Sequence, residues 1–80
     1  MTANEAVGRL RSILESDFQV PADRITEAAH LRTDCGLDSL ALTDLAFLVQ
    51  SDFGFKAEPD DFRGVTTVGA LAEFVAKHAP

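Results

Sequence analysis

The side chains of this chain that could do chemistry are few: the hydroxyl of Ser39, the thiol of Cys35, and the imidazoles of His30 and His78. A catalytic serine needs a base within hydrogen-bond reach and an acid to orient that base. His30 lies nine residues upstream of Ser39, His78 sits near the end of the chain, and no Gly-x-Ser-x-Gly elbow is present. Hydrolysis is therefore disfavoured, no catalytic residue is assigned, and both histidines read as solvated surface residues. One cysteine and two histidines match no zinc spacing, and Asp60-Asp61 lacks the ligand periodicity of a calcium loop. No metal site is expected. Cys35 reads as a small apolar residue tucked beside a helix start. What remains is modification of Ser39. The stretch Asp34-Cys35-Gly36-Leu37-Asp38-Ser39-Leu40 combines a turn glycine, a capping aspartate and a hydroxyl in the first helical turn. A phosphodiester on that oxygen would lie where free amides and the positive dipole end favour anions. With Asp38 already capping that end, it would hang in solvent.

The elements that must hold this serine are helical throughout. Thr2-Ala3-Asn4-Glu5 matches a capping box, and Val7, Leu10, Ile13/Leu14 and Phe18 then recur at three- and four-residue steps. A helix over residues 3–17 follows, with Pro21 ending any continuation; Gly8 inside it costs roughly 1 kcal/mol against alanine, for which close helix packing is one explanation that the sequence does not establish. Residues 18–37 form a long connection with one helical turn near residues 21–25, anchored by Ile25, Ala28 and Leu31. The second helix runs from Ser39 to Asp52 and is closed by Gly54. Leu42, Leu45, Ala46, Val49 and Phe53 share its core face, while Leu40, Thr43, Asp44 and Phe47 lie opposite. Periodicity alone leaves two readings of Leu40 and Phe47, a docking surface or contact with a neighbouring helix.

Glu58-Pro59-Asp60-Asp61-Phe62 reads as a short acidic helix closed by Gly64, and Thr66-Thr67 caps a last helix that buries Val68, Leu71, Ala72 and Val75. Glu73 and Lys77 form an i,i+4 pair. The expected fold is all-α: one domain over residues 1–80, a four-helix bundle with a long first loop and a short third helix. At this size the core buries roughly 60–65% of the unfolded surface, which disfavours a large active-site cleft.

The net charge is −6. Residues 34–61 hold seven of the thirteen acids (Asp34, Asp38, Asp44, Asp52, Glu58, Asp60, Asp61) against Lys56 alone, so nearly all the excess lies in the segment around Ser39. Such a surface repels nucleic acid and anionic lipid, and attracts basic protein patches. No secretory signal and no run of the ~20 apolar residues needed to span a bilayer is visible. With a single cysteine, a cytoplasmic monomer is the expectation.

Gly36-Leu37-Asp38-Ser39-Leu40 resembles the Gly-x-Asp-Ser-Leu signature of the acyl carrier proteins, and the likeness extends over essentially the whole chain in the order of its elements. The resemblance implies a stand-alone, non-catalytic carrier. Ser39 would bear 4′-phosphopantetheine, transferred from coenzyme A by a phosphopantetheinyl transferase, and acyl or polyketide intermediates would ride on it as thioesters. Asp38 and Asp44 would face basic patches on acyltransferases, ketosynthases or ligases, with Leu40, Thr43 and Phe47 as the apolar part of the docking surface; this favours docking over the alternative. Ala41, Gln50 and Ser51 stand where fatty-acid carriers usually have acids, and Cys35 where they have leucine. These departures favour a polyketide or specialised lipid pathway. The other readings are an aminoacyl or peptidyl carrier and an unmodified interaction module. The unloaded bundle is expected to have little internal room, its phenylalanines filling the space.

Overall fold

A computed structural model describes residues 1–79. Helix α1 (Ala3–Asp17) begins at a complete capping box. The Thr2 hydroxyl accepts from the Glu5 amide at 3.2 Å, and the Glu5 carboxylate accepts from the Thr2 amide at 3.1 Å and from its hydroxyl at 3.0 Å. These bonds, the backbone one foremost, hold the Glu5 carboxyl below its ordinary range. Ala6, Leu10, Ile13 and Leu14 form the buried face. The helix stops before Pro21 acts: Gln19 takes a left-handed φ of 56°, and the Val20 amide closes onto the Leu14 carbonyl at 2.9 Å. Gly8 is exposed, and a Cβ there would meet nothing within 4 Å, so close packing does not account for it.

The long connection is tied down along its length. It holds a 3₁₀ turn (Ala22–Arg24), and Ile25 and Leu31 reach the core as expected; the third anchor is Ala29, with Ala28 exposed. The segment from Glu27 to Leu31 then runs antiparallel to the residues that open the last helix. The Gly69 amide donates to the Glu27 carbonyl at 2.8 Å, Val68 to Ala29 at 3.0 Å, and Leu31 to Thr66 at 2.8 Å, around a His30–Thr67 bridge. The two backbones lie so close that a Cβ on Gly69 would stand 2.9 Å from the Glu27 carbonyl oxygen.

Helix α2 (Ser39–Phe53) is capped by Asp38 and ends at Gly54, whose φ of 75° favours glycine. Leu45, Val49 and Phe53 are buried, with Leu42 and Ala46 half-buried beside them. Arg9 of α1 lies 4.3 Å over the Phe53 ring and donates to the Asp52 carbonyl at 3.3 Å, closing the C-terminal end of α2. The expected short third helix is a single 3₁₀ turn (Pro59–Phe62), capped by Arg63 rather than Gly64. Helix α3 (Val68–His78) begins at Thr67 and buries Val68, Leu71, Ala72 and Val75, packing chiefly on α1. Among the described residues Glu73 and Lys77 form no ion pair; the one present is Arg63–Asp60 at 3.2 Å, with both side chains exposed. The architecture is all-helical around a wholly apolar core, with no buried polar side chain among the described residues. Among the described residues no helix is long and apolar enough to cross a membrane.

Candidate functional site

Ser39 is presented by a turn that folds on itself. The His30 carbonyl accepts from the amides of Asp34 and Cys35 at 2.9 and 3.1 Å, and the Asp34 carboxylate accepts from the His30 amide at 2.7 Å. The Leu37 amide donates to the Leu31 carbonyl at 3.1 Å, across a Gly36 held at φ 74°. Leu31, Cys35 and Leu37 point into the core. Cys35 lies in the core as the small apolar residue expected, and burial, with the charge of Asp34 second, pushes its thiol pKa up.

Helix α2 starts at the end of this turn. The Asp38 carboxylate accepts from the Ala41 amide at 2.8 Å, and the Ser39 side chain stands exposed at the first helical position. Its Oγ accepts a hydrogen bond from Arg32 Nη2 at 3.0 Å. The partner of the hydroxyl is thus a cation, not a base. His30 turns its Nδ1 to the Arg32 amide at 3.3 Å, while His78 is exposed, as expected, and stacks one face on Phe74 with ring centroids 4.2 Å apart. Among the described residues, no cluster of His, Cys, Asp and Glu could hold a metal ion. An exposed hydroxyl beside a guanidinium, at a helix start with amides left over, fits a phosphodiester on Ser39. Arg32 was not singled out from the sequence. The available signal was that it is the last cation before the acid-rich segment.

The face of α2 that follows is open. Leu40 and Phe47 are 72% and 69% exposed, and Thr43 and Asp44 are exposed between them. The Thr43 hydroxyl donates back to the Ser39 carbonyl at 3.0 Å. Beside this face lies a groove of about 280 Å³ bounded by Leu42, Phe47, Gln50, Pro59 and Phe62. A smaller space of about 110 Å³ continues inward past Leu42, Phe62, Leu45 and Leu71. The space between the helices is thus small, and the larger groove opens at the surface beside α2. Phe55 and Phe62 pack on Phe74, with centroids 5.9 and 4.7 Å from it, and the half-buried Phe62 walls the groove without filling it. Gln50, where an acid was the usual residue, accepts from the Ala57 amide at 2.9 Å and fixes the loop below the groove.

Residues 8–75 match the family model described as the phosphopantetheine attachment site. The chain is 36% identical over 73 residues to the acyl carrier protein of Saccharopolyspora erythraea, covering 91% of this chain and 77% of that one. It is 39% identical over 69 residues to acyl carrier protein 2 of Ralstonia nicotianae, covering 86% and 85%. The chain belongs to the acyl carrier protein family. In fold it is similar to the solved acyl carrier protein of Enterococcus faecalis, with a TM-score of 0.79 over 99% of this chain and 100% of that one at 23% identity. The cofactor of the family is covalently attached 4′-phosphopantetheine, and its members are non-catalytic carriers, modified by a phosphopantetheinyl transferase and visited by the enzymes of a pathway.

Proposed function

We propose that Ser39 is the attachment residue for 4′-phosphopantetheine and that Asp38, Leu40, Thr43, Asp44 and Phe47 form the surface on which partner enzymes dock. One observation carries this reading: the only face of α2 with large exposed apolar side chains begins beside an exposed hydroxyl at the helix start. When attached, the arm supplies a thiol that holds acyl groups as thioesters. The chain's own residues do the rest. Asp38 fixes the helix start, the buried Leu31, Cys35 and Leu37 stop the preceding turn from collapsing over Ser39, and the Ser39 hydroxyl, bonded to the Arg32 cation, is left to be activated by the transferase. The 3₁₀ turn at Pro59–Phe62 takes the part of the third helix in a four-helix carrier domain spanning the chain.

The uncharged Ala41, Gln50 and Ser51 support a dedicated carrier of polyketide or specialised lipid assembly, working in the cytoplasm as a monomer and docking on acyltransferase, ketosynthase or ligase surfaces with basic patches. Incubation with coenzyme A and a promiscuous phosphopantetheinyl transferase tests the attachment. The intact mass should rise by one phosphopantetheine in the parent and not at all in Ser39→Ala. No gain in the parent, or an equal gain in the variant, refutes it.

A further inference from the structure

The guanidinium of Arg32 is oddly committed. It lies next to the most acidic stretch of the chain, yet among the described residues it pairs with no carboxylate; the only ion pair is Arg63–Asp60. Its Nη2 instead reaches the neutral hydroxyl of Ser39 at 3.0 Å. A single hydrogen bond between exposed side chains is a weak reason to hold a long, flexible cation in place. The placement comes from the backbone. Arg32 follows Leu31, which is buried and bonded to Thr66, and its own amide is taken by His30 Nδ1. The same residue lines a cavity of about 220 Å³ together with His30, Leu42, Phe62 and Arg63. That cavity shares Leu42 and Phe62 with the groove beside α2.

We propose that Arg32 is a positioning residue for the cofactor: its guanidinium binds the phosphodiester formed on Ser39 and turns the arm toward the groove walled by Leu42 and Phe62. The inference rests on Ser39 being the attachment residue and adds a specific cation to it. Transfer of the arm from coenzyme A forms the Oγ–P bond as the coenzyme's pyrophosphate P–O bond breaks, and the nucleotide part and the hydroxyl proton depart. The atom Arg32 already touches stays an acceptor, bonded to a phosphorus whose two non-bridging oxygens share one negative charge. The fork of guanidinium donors matches a phosphate bidentately, and charge-assisted bonds of this kind are roughly twice as strong as neutral ones. Asp38, held by the Ala41 amide, keeps its charge turned to the helix and does not compete for the arginine.

The test uses the phosphopantetheinylated protein, with intact mass confirming one arm on every sample. The ³¹P resonance and the ¹⁵N relaxation of the arm's amide nearest the phosphate are recorded for the parent, Arg32→Ala and Arg63→Ala. In the parent, the ³¹P shift should differ from that of a phosphopantetheinyl serine peptide, and the amide should be ordered. In Arg32→Ala the shift difference should vanish and the order parameter fall below about 0.6, the range of flexible segments. Arg63→Ala, which removes another cation lining the same cavity, should match the parent. Salt at about 1 M, where the screening length is near 3 Å, should move the parent toward Arg32→Ala. An unchanged ³¹P shift and arm order in Arg32→Ala overturns the proposal, as does an equal loss in Arg63→Ala. A parent that gains no mass, or a Ser39→Ala control that gains as much, refutes the attachment at Ser39 instead, so the two failures are distinguishable.

Discussion

The same substitution at two glycines should change stability in opposite directions. Gly69 and Gly8 both lie in helices, but Gly69→Ala would place a Cβ 2.9 Å from the Glu27 carbonyl oxygen, whereas Gly8→Ala meets nothing within 4 Å. At Gly69 both sides of the clash are backbone, so it is relieved only by shifting the paired segments. Overpacking of this kind typically costs about 1–3 kcal/mol, and weakening the 2.8 Å Gly69–Glu27 hydrogen bond adds about 1 kcal/mol. The better helix propensity of alanine returns at most about 1 kcal/mol. The expected net loss is about 1–3 kcal/mol, which at about 4–8 °C per kcal/mol lowers Tm by roughly 4–24 °C. Gly8→Ala should raise stability by about 0.5–1 kcal/mol. Urea unfolding followed by far-UV circular dichroism measures both. Hydrogen exchange should show the Leu31 and Leu37 amides of Gly69→Ala losing protection first, because their bonds hold the turn before Ser39. A Gly69→Ala protein as stable as the parent would refute the reasoning that this close approach leaves no room for a side chain.

Two further outcomes follow from the site's local bonding. Asp38→Ala removes the cap of α2 and should cost about 1 kcal/mol in urea unfolding, whereas Asp38→Asn, still able to accept from the Ala41 amide, should cost less than half of that. Cys35 should be alkylated in the folded, unmodified protein only at a pH above that of a free thiol, since burial pushes its pKa above the ordinary 9.0, and in urea it should react as an ordinary cysteine. The folded state keeps the proton to higher pH than the unfolded one. Stability from this group is therefore fully present below the ordinary thiol pKa and declines as pH rises through the folded value, a decline that Cys35→Ala should lack.

What could be read from the sequence was local chemistry. Thr2, Asp38 and Thr67 cap helices because a side-chain oxygen meets an amide three residues on, and Gly54 ends one because its own φ is positive. Leu40 and Phe47 stood out because a helical period puts them opposite Leu45 and Val49. The pieces that escaped depend on partners distant in the chain. Glu27 to Leu31 pair with residues some forty positions later, which no single-sequence pattern announces, and that pairing decides that Ala29 rather than Ala28 faces the core. Arg32 reaches Ser39 only because the turn between them folds back on His30. Gln50 read as a missing acid, yet its side chain holds Ala57. Gln19 ends α1 in a left-handed conformation that glycine or asparagine would have signalled and glutamine did not.

The acid-rich segment needs a finer reading than its total charge suggested. Asp34, Asp38 and Asp61 accept bonds from the amides of His30, Ala41 and Glu58, and Asp60 pairs with Arg63. All four keep contributing to long-range attraction, but their geometry is already committed. On the exposed face of α2, Asp44 stands between Leu40 and Phe47 with no ion-pair partner among the described residues. An exposed ion pair from Asp44 to a partner lysine is worth about 0.2–1 kcal/mol. Burying the Phe47 ring, now 69% exposed, is worth about 1.5–3 kcal/mol. Docking should therefore divide its labour. Phe47→Ala should raise Kd for a cognate partner at least several-fold through faster dissociation, while changing stability by less than about 0.5 kcal/mol. Asp44→Lys should act mainly on the association rate and on its salt dependence. Stopped-flow binding across a salt series separates the two. If Asp44→Lys slowed association no more than Phe47→Ala did, charge would not be guiding the encounter, and the concentration of acid around Ser39 would need another explanation.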